Sequence, residues 1–139
     1  QKTLLIMIAK LKRLIELFRL GAESIMDLST HGDTRIFRRK LIETSPVMIG
    51  TVPIYDSVIH HQKDLGELTA QDFLDTIRLH AQDGVDFITI HSGITRKTID
   101  QIKNHKRLLN IVSRGGSLVF AWMSMTGHEN PSTNTLMKS

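Results

Sequence analysis

Apolar residues recur along the chain with two distinct periods. Leu4, Ile8, Leu11, Ile15 and Phe18, joined by Met7 and Leu14, repeat every three or four positions, with Lys10, Lys12, Arg13, Glu16 and Arg19 between them. That spacing predicts an amphipathic helix from about Thr3 to Leu20, ended by Gly21. Asp33 is a good N-cap for a second helix to about Glu43, with Ile36, Phe37, Leu41 and Ile42 on its apolar side, and Ser45-Pro46 stops it. A short helix covers Ile54 to His61, and Lys63 to Leu68 reads as polar linker. Thr69-Ala70-Gln71-Asp72 has the spacing of a capping box, opening a helix to about Gln82 that buries Phe73, Ile77 and Ala81. Thr95 can cap a helix to about His105 with Ile99 and Ile102 inward; Gly115-Gly116 reads as a tight turn before a last helix from Ser117 to Met125.

Between these lie short, continuous apolar runs: Ser24 to Leu28, Val47 to Val52, Asp86 to His91 and Leu109 to Ser113. Runs of that length rich in β-branched residues predict strands of a parallel sheet; Phe87 to Ile90 carries no charge and is expected to be covered on both faces. Alternation with helices implies right-handed βα units. Four such units make half of an eightfold barrel, so the predicted fold class is α/β, a partial (β/α)8 barrel of TIM type with about four parallel strands. A small doubly wound sheet is the alternative, disfavoured because no glycine-rich dinucleotide fingerprint follows the first strand. The predicted organisation is a barrel segment over 1–126 and a polar, loosely ordered tail over 127–139.

Composition narrows the function classes. A chain of 139 residues is one domain or a piece of one. The net charge of +4 is mild, and Lys10 to Arg13 and Arg38-Arg39-Lys40 sit at helical spacing among apolar residues. They read as solvated helix faces, not as a nucleic-acid interface. Leu4 to Ala9 is too short to span a bilayer, so no membrane partner is expected. The chain has no cysteine, so it forms no disulfide and offers no thiolate to zinc or an iron–sulfur cluster. A cytoplasmic protein is the expectation.

Polar residues gather where the predicted strands end. Ser113-Arg114-Gly115-Gly116-Ser117 joins small residues, a permanent charge and a helix start, which suits a phosphate; a glycine turn with a surface arginine is the plainer alternative. His91 closes its strand beside Ser92 and Gly93, placed either to meet a substrate or to be satisfied by a core carbonyl. Tyr55 follows the second strand, and Asp27 lies in an apolar strand, where it is expected to orient the loop Ser29 to Gly32. Met26 by itself reads as core filler. His60-His61 is a weak metal pair, and His31, His80 and His105 have no partner at ligand spacing.

Four segments in order, GAESIMDLST, SPVMIGTVPIY, GVDFITIHSG and IVSRGGS, resemble the phosphomethylpyrimidine synthase family of thiamine biosynthesis, and HENP echoes a family segment near the end. The resemblance covers about Leu14 to Trp122. It implies conversion of aminoimidazole ribotide to hydroxymethylpyrimidine phosphate on a βα barrel, by radical chemistry with S-adenosylmethionine and a [4Fe-4S] cluster, and zinc as a further cofactor. It implies Met26, Tyr55, His91, Ser113, Arg114 and Gly115 as substrate contacts, with no catalytic and no metal-binding residue in this chain. The family's cluster cysteines and metal-binding histidines have no counterpart here. His31 stands where a glycine is usual, Met123 replaces a cysteine, and the tail diverges after Pro131. The chain is thus expected to be a piece or a truncated relative, inactive alone, whose open barrel edges associate with another copy. A non-catalytic ligand-binding or structural half-barrel module is the alternative.

Overall fold

The computed structural model describes residues 2–104 and 111–135. Helix α1 (Lys2–Arg19) leads into β1 (Ser24–Asp27), α2 (Thr34–Thr44), β2 (Met48–Thr51), α3 (Pro53–His61), a 3₁₀ turn (Leu65–Glu67), α4 (Ala70–Gln82), β3 (Phe87–Ile88), α5 (Arg96–Asn104), α6 (Arg114–Thr126) and α7 (Pro131–Thr135). The described strands form one parallel sheet in the order β1-β2-β3, with Met26 opposite Gly50 and Gly50 opposite Phe87. Gly50 is needed there, because a Cβ at that position would stand 2.2 Å from the Phe87 ring.

Local chemistry sets the helix starts where the sequence places them. Asp33 accepts from the Ile36 amide at 2.9 Å. Thr69 and Asp72 form the full reciprocal capping box, and Thr95 accepts from the Thr98 amide at 3.2 Å. Ser29 donates its amide to Asp27 at 3.0 Å, so Asp27 does shape the loop after β1.

Other expectations are corrected by long-range packing. Residues 105–110 lie outside the described residues, and 111–113 are not strand, so three parallel strands are described rather than four. β3 is two residues long and hydrogen-bonds β2 alone among the described strands, which leaves Ile90 39% exposed instead of covered on both faces. Gly115 and Gly116 lie inside α6, which starts at Arg114 because the Ser113 hydroxyl caps the Gly116 amide. The linker expected over Lys63 to Leu68 contains the 3₁₀ turn, and Leu68 is a core residue whose carbonyl accepts from Trp122 Nε1 at 2.7 Å. Ile36 and Ala81 face solvent. The core itself joins Leu68, Phe73, Ile99, Val119, Trp122 and Met123, with the Trp122 ring edge-on to Phe73.

Candidate functional site at the strand ends

Successive turns of chain after β2, after β3 and before α6 converge on one mouth. Ser113 accepts the Gly116 amide and lies 3.0 Å from His91 Nε2. The edge of the His91 ring rests on Gly115, where an added Cβ would stand 2.1 Å from Cε1. Only glycine permits that approach. His91 Nδ1 is buried without a hydrogen-bond partner among the described residues. Burial of the ring lowers the His91 pKa, favouring the neutral imidazole. Arg114, the first residue of α6, lies over the Tyr55 ring, 5.0 Å from its centroid. The first turn of α6 holds no acidic residue, so a guanidinium stands at the positive end of the helix. That is unfavourable alone and favourable beside an anion.

Five of the six substrate contacts named from the sequence, Tyr55, His91, Ser113, Arg114 and Gly115, thus meet through direct contacts. Met26 stands on β1 and lines a separate groove of about 270 Å³ with Lys10, Leu14, Leu17 and Phe37. His61 Nε2 reaches the Asp72 carbonyl at 2.9 Å, and its ring meets that of His60 edge to face.

Behind the mouth lies a polar network that sequence reasoning missed. Arg38, expected on a solvated face, is 1% exposed. Its Nη1 donates to Asp56 at 3.2 Å and its Nη2 to Asp83 at 2.8 Å. His80 Nε2 donates to Asp56 at 3.1 Å, since a carboxylate only accepts, and Nδ1 meets Thr51 Oγ1 at 2.8 Å. Thr34 donates to the other oxygen of Asp56. The signal was the spacing: Thr34, Arg38 and Leu41 share one helix face, and all three are buried.

Burial alone would raise the Asp56 pKa. Its hydrogen bonds from His80 and Thr34 and the Arg38 charge outweigh that, holding it at about 2. Asp72 is likewise held at about 2, against burial, by the Thr69 amide and Lys63. Both carboxyls sit below their ordinary 3.8, so the unfolded chain binds more protons between those values. Stability from these groups is present above about pH 4 and lost as pH falls toward about 2. Urea midpoints should therefore fall steeply across that window. Asp56→Asn should flatten the slope, and an unchanged slope would remove Asp56 from this role.

A family model described as "Radical SAM ThiC family" matches residues 5–137. The chain belongs to that family. The chain is 60% identical over 110 residues to the phosphomethylpyrimidine synthase of Clostridioides difficile, covering 79% of this chain and 25% of that protein. It is 58% identical over 112 residues to the synthase of Pelotomaculum thermopropionicum, covering 81% and 26%, and 53% identical over 122 residues to that of Clostridium perfringens strain SM101, covering 88% and 27%. The chain therefore spans about a quarter of the length of these ThiC relatives. Among the described residues no helix is long and apolar enough to cross a membrane.

Radical SAM chemistry implies a [4Fe-4S] cluster and S-adenosylmethionine. The residues present do not fit a cluster: the chain has no cysteine, and among the described residues no three His, Cys, Asp or Glu side chains are grouped to hold a metal.

Proposed function

We propose that this ThiC chain supplies the substrate-holding strand ends of a phosphomethylpyrimidine synthase, on a segment of a (β/α)8 barrel, and that its ligand is aminoimidazole ribotide. The contact of Arg114 with Tyr55, one residue from Ser113 and its His91 partner, carries the reading. It puts a guanidinium and a helix start beside a neutral imidazole, donors suited to a phosphate and a five-membered ring. Met26, on β1, is the remaining contact the family pattern assigns. A [4Fe-4S] cluster needs thiolates, which this chain lacks, so its proposed role is to bind and orient.

Titration of the chain with the ribotide tests this. Charge-assisted hydrogen bonds contribute about 1.5–3 kcal/mol each, so Arg114→Ala should weaken binding roughly tenfold or more. Arg114→Lys should restore it only in part, because an ammonium lacks the planar fork. Equal affinity of Arg114→Ala and the parent chain would sink the reading. The lack of cysteine favours a second one, a phosphate-ligand-binding module without catalysis. Turnover of the ribotide by the isolated chain, given reductant and S-adenosylmethionine, would exclude that module.

A further inference from the structure

The loop carrying His91 has left the sheet: the last bond to β2 is Thr89 N to the Thr51 carbonyl, 2.8 Å. The carbonyls of His91, Ser92 and Ile94 therefore have no strand beside them among the described residues. They are met from the chain after α6. Asn130, 1% exposed, donates both hydrogens of its amide, one to the His91 carbonyl and one to the Ile94 carbonyl, each at 2.8 Å. Its Oδ1 accepts from the Ser132 amide at 3.0 Å. Thr133 Oγ1 donates to the Ser92 carbonyl at 3.0 Å. Glu129, one residue earlier, accepts from the Arg96 amide at the start of α5, which closes the far end of the same loop.

We propose that Asn130, assisted by Thr133, is a positioning residue that fixes the His91 loop so that the imidazole meets the ligand; this rests on the ribotide-binding reading above. The chemistry is specific. A primary amide alone among side chains of this size offers two donors and an acceptor. Alanine leaves two carbonyls unmet, and aspartate sets a carboxylate against them. The ring is already held by Ser113 and Gly115 on one side, so the clamp on its backbone removes the remaining freedom. The polar tail thereby supports the mouth by bonding to its loop, and Asn130 lines a cavity together with Ile54 and His91.

The test uses Asn130→Ala, Asn130→Asp, His91→Ala and the double variant Asn130→Ala/His91→Ala. The parent should bind the ribotide, and either Asn130 variant should bind about tenfold more weakly, as the loss of two buried hydrogen bonds implies. The double variant should bind no more weakly than His91→Ala alone, because Asn130 acts through His91. Additive losses would overturn the proposal, as would unchanged affinity in Asn130→Ala. The His91 ring resonance, followed by NMR against pH, gives a second readout. Release of the loop should shift the resonance and raise its midpoint toward 6.5. If the parent does not bind the ribotide, the binding reading falls and this resonance decides: movement supports the clamp, and an unmoved resonance overturns it. If the Asn130 variants do not fold, Thr133→Val removes one bond and leaves the amide. It should weaken binding about twofold to threefold and shift the resonance in the same sense; no change in either measure overturns the proposal.

Discussion

Arg38→Met is expected to destabilise the fold by about 3–5 kcal/mol, the usual result of removing one partner from a buried charge network. The methionine keeps most of the stem volume, so the loss reports charge more than cavity. Asp56 and Asp83 would be left without their shared cation, and both are nearly inaccessible. Domains of this size have total stabilities of roughly 5–15 kcal/mol, so the loss is a large fraction of the total. Arg38→Lys should recover only part, because one ammonium cannot donate to both carboxylates with the fork that Arg38 presents. Adding Asp56→Asn to Arg38→Met should recover more, since it removes the charge left without an arginine, whereas Asp83 keeps Arg35 at 3.0 Å. Urea unfolding at constant slope measures all of these. A loss under about 1 kcal/mol for Arg38→Met, the range of exposed pairs, would mean the network is solvated.

Gly115→Ala should abolish most ligand binding while leaving the fold nearly intact. Helix propensity favours the alanine by about 1 kcal/mol. Against that, the new Cβ would lie 2.1 Å from His91 Cε1 and 2.5 Å from Nε2. Overpacking of this kind costs about 1–3 kcal/mol unless the neighbour moves. Here the neighbour can move, because the ring is half-buried at the edge of a mouth. The lower-energy outcome is a displaced imidazole that has lost Ser113, with thermal stability little changed and ribotide affinity down at least about tenfold. Gly116→Ala is the control. Its Cβ would come no closer than 3.1 Å to Ile94 Cδ1, a methyl that can yield. Calorimetric titration of both variants decides the point, and a Gly115→Ala chain that binds as tightly as the parent contradicts the packing described for His91.

Features that depend on near neighbours were legible in the order of residues. The caps at Asp33, Thr69 and Thr95 each join a side chain to an amide three residues on. Such a bond forms wherever the helix forms, so its residues announce it. Parallel strands β1 and β2 could likewise be read, as apolar runs between helices. So could the placing of Tyr55 and His91 just past β2 and β3, because parallel strands point their carboxyl ends the same way; Ser113, Arg114 and Gly115 join them from the start of α6, with no strand among the described residues before them. Which charges are buried, and what holds the loops, emerged only once the chain was folded. Arg38 lies 18 and 45 residues from its carboxylates, and Asn130 lies 39 from the His91 carbonyl it meets. Helical spacing puts Arg38 on the face of Thr34 and Leu41 and Arg39 off it, but no local window shows which carboxylates would meet the buried guanidinium. Only the packing of α2, α3 and α4 against β2 removes its water and supplies the partners. The shortness of β3 has the same origin. An apolar run can pair only where a neighbouring strand stands, and where pairing ends after Ile88 the chain turns instead to the side chains of Asn130 and Thr133.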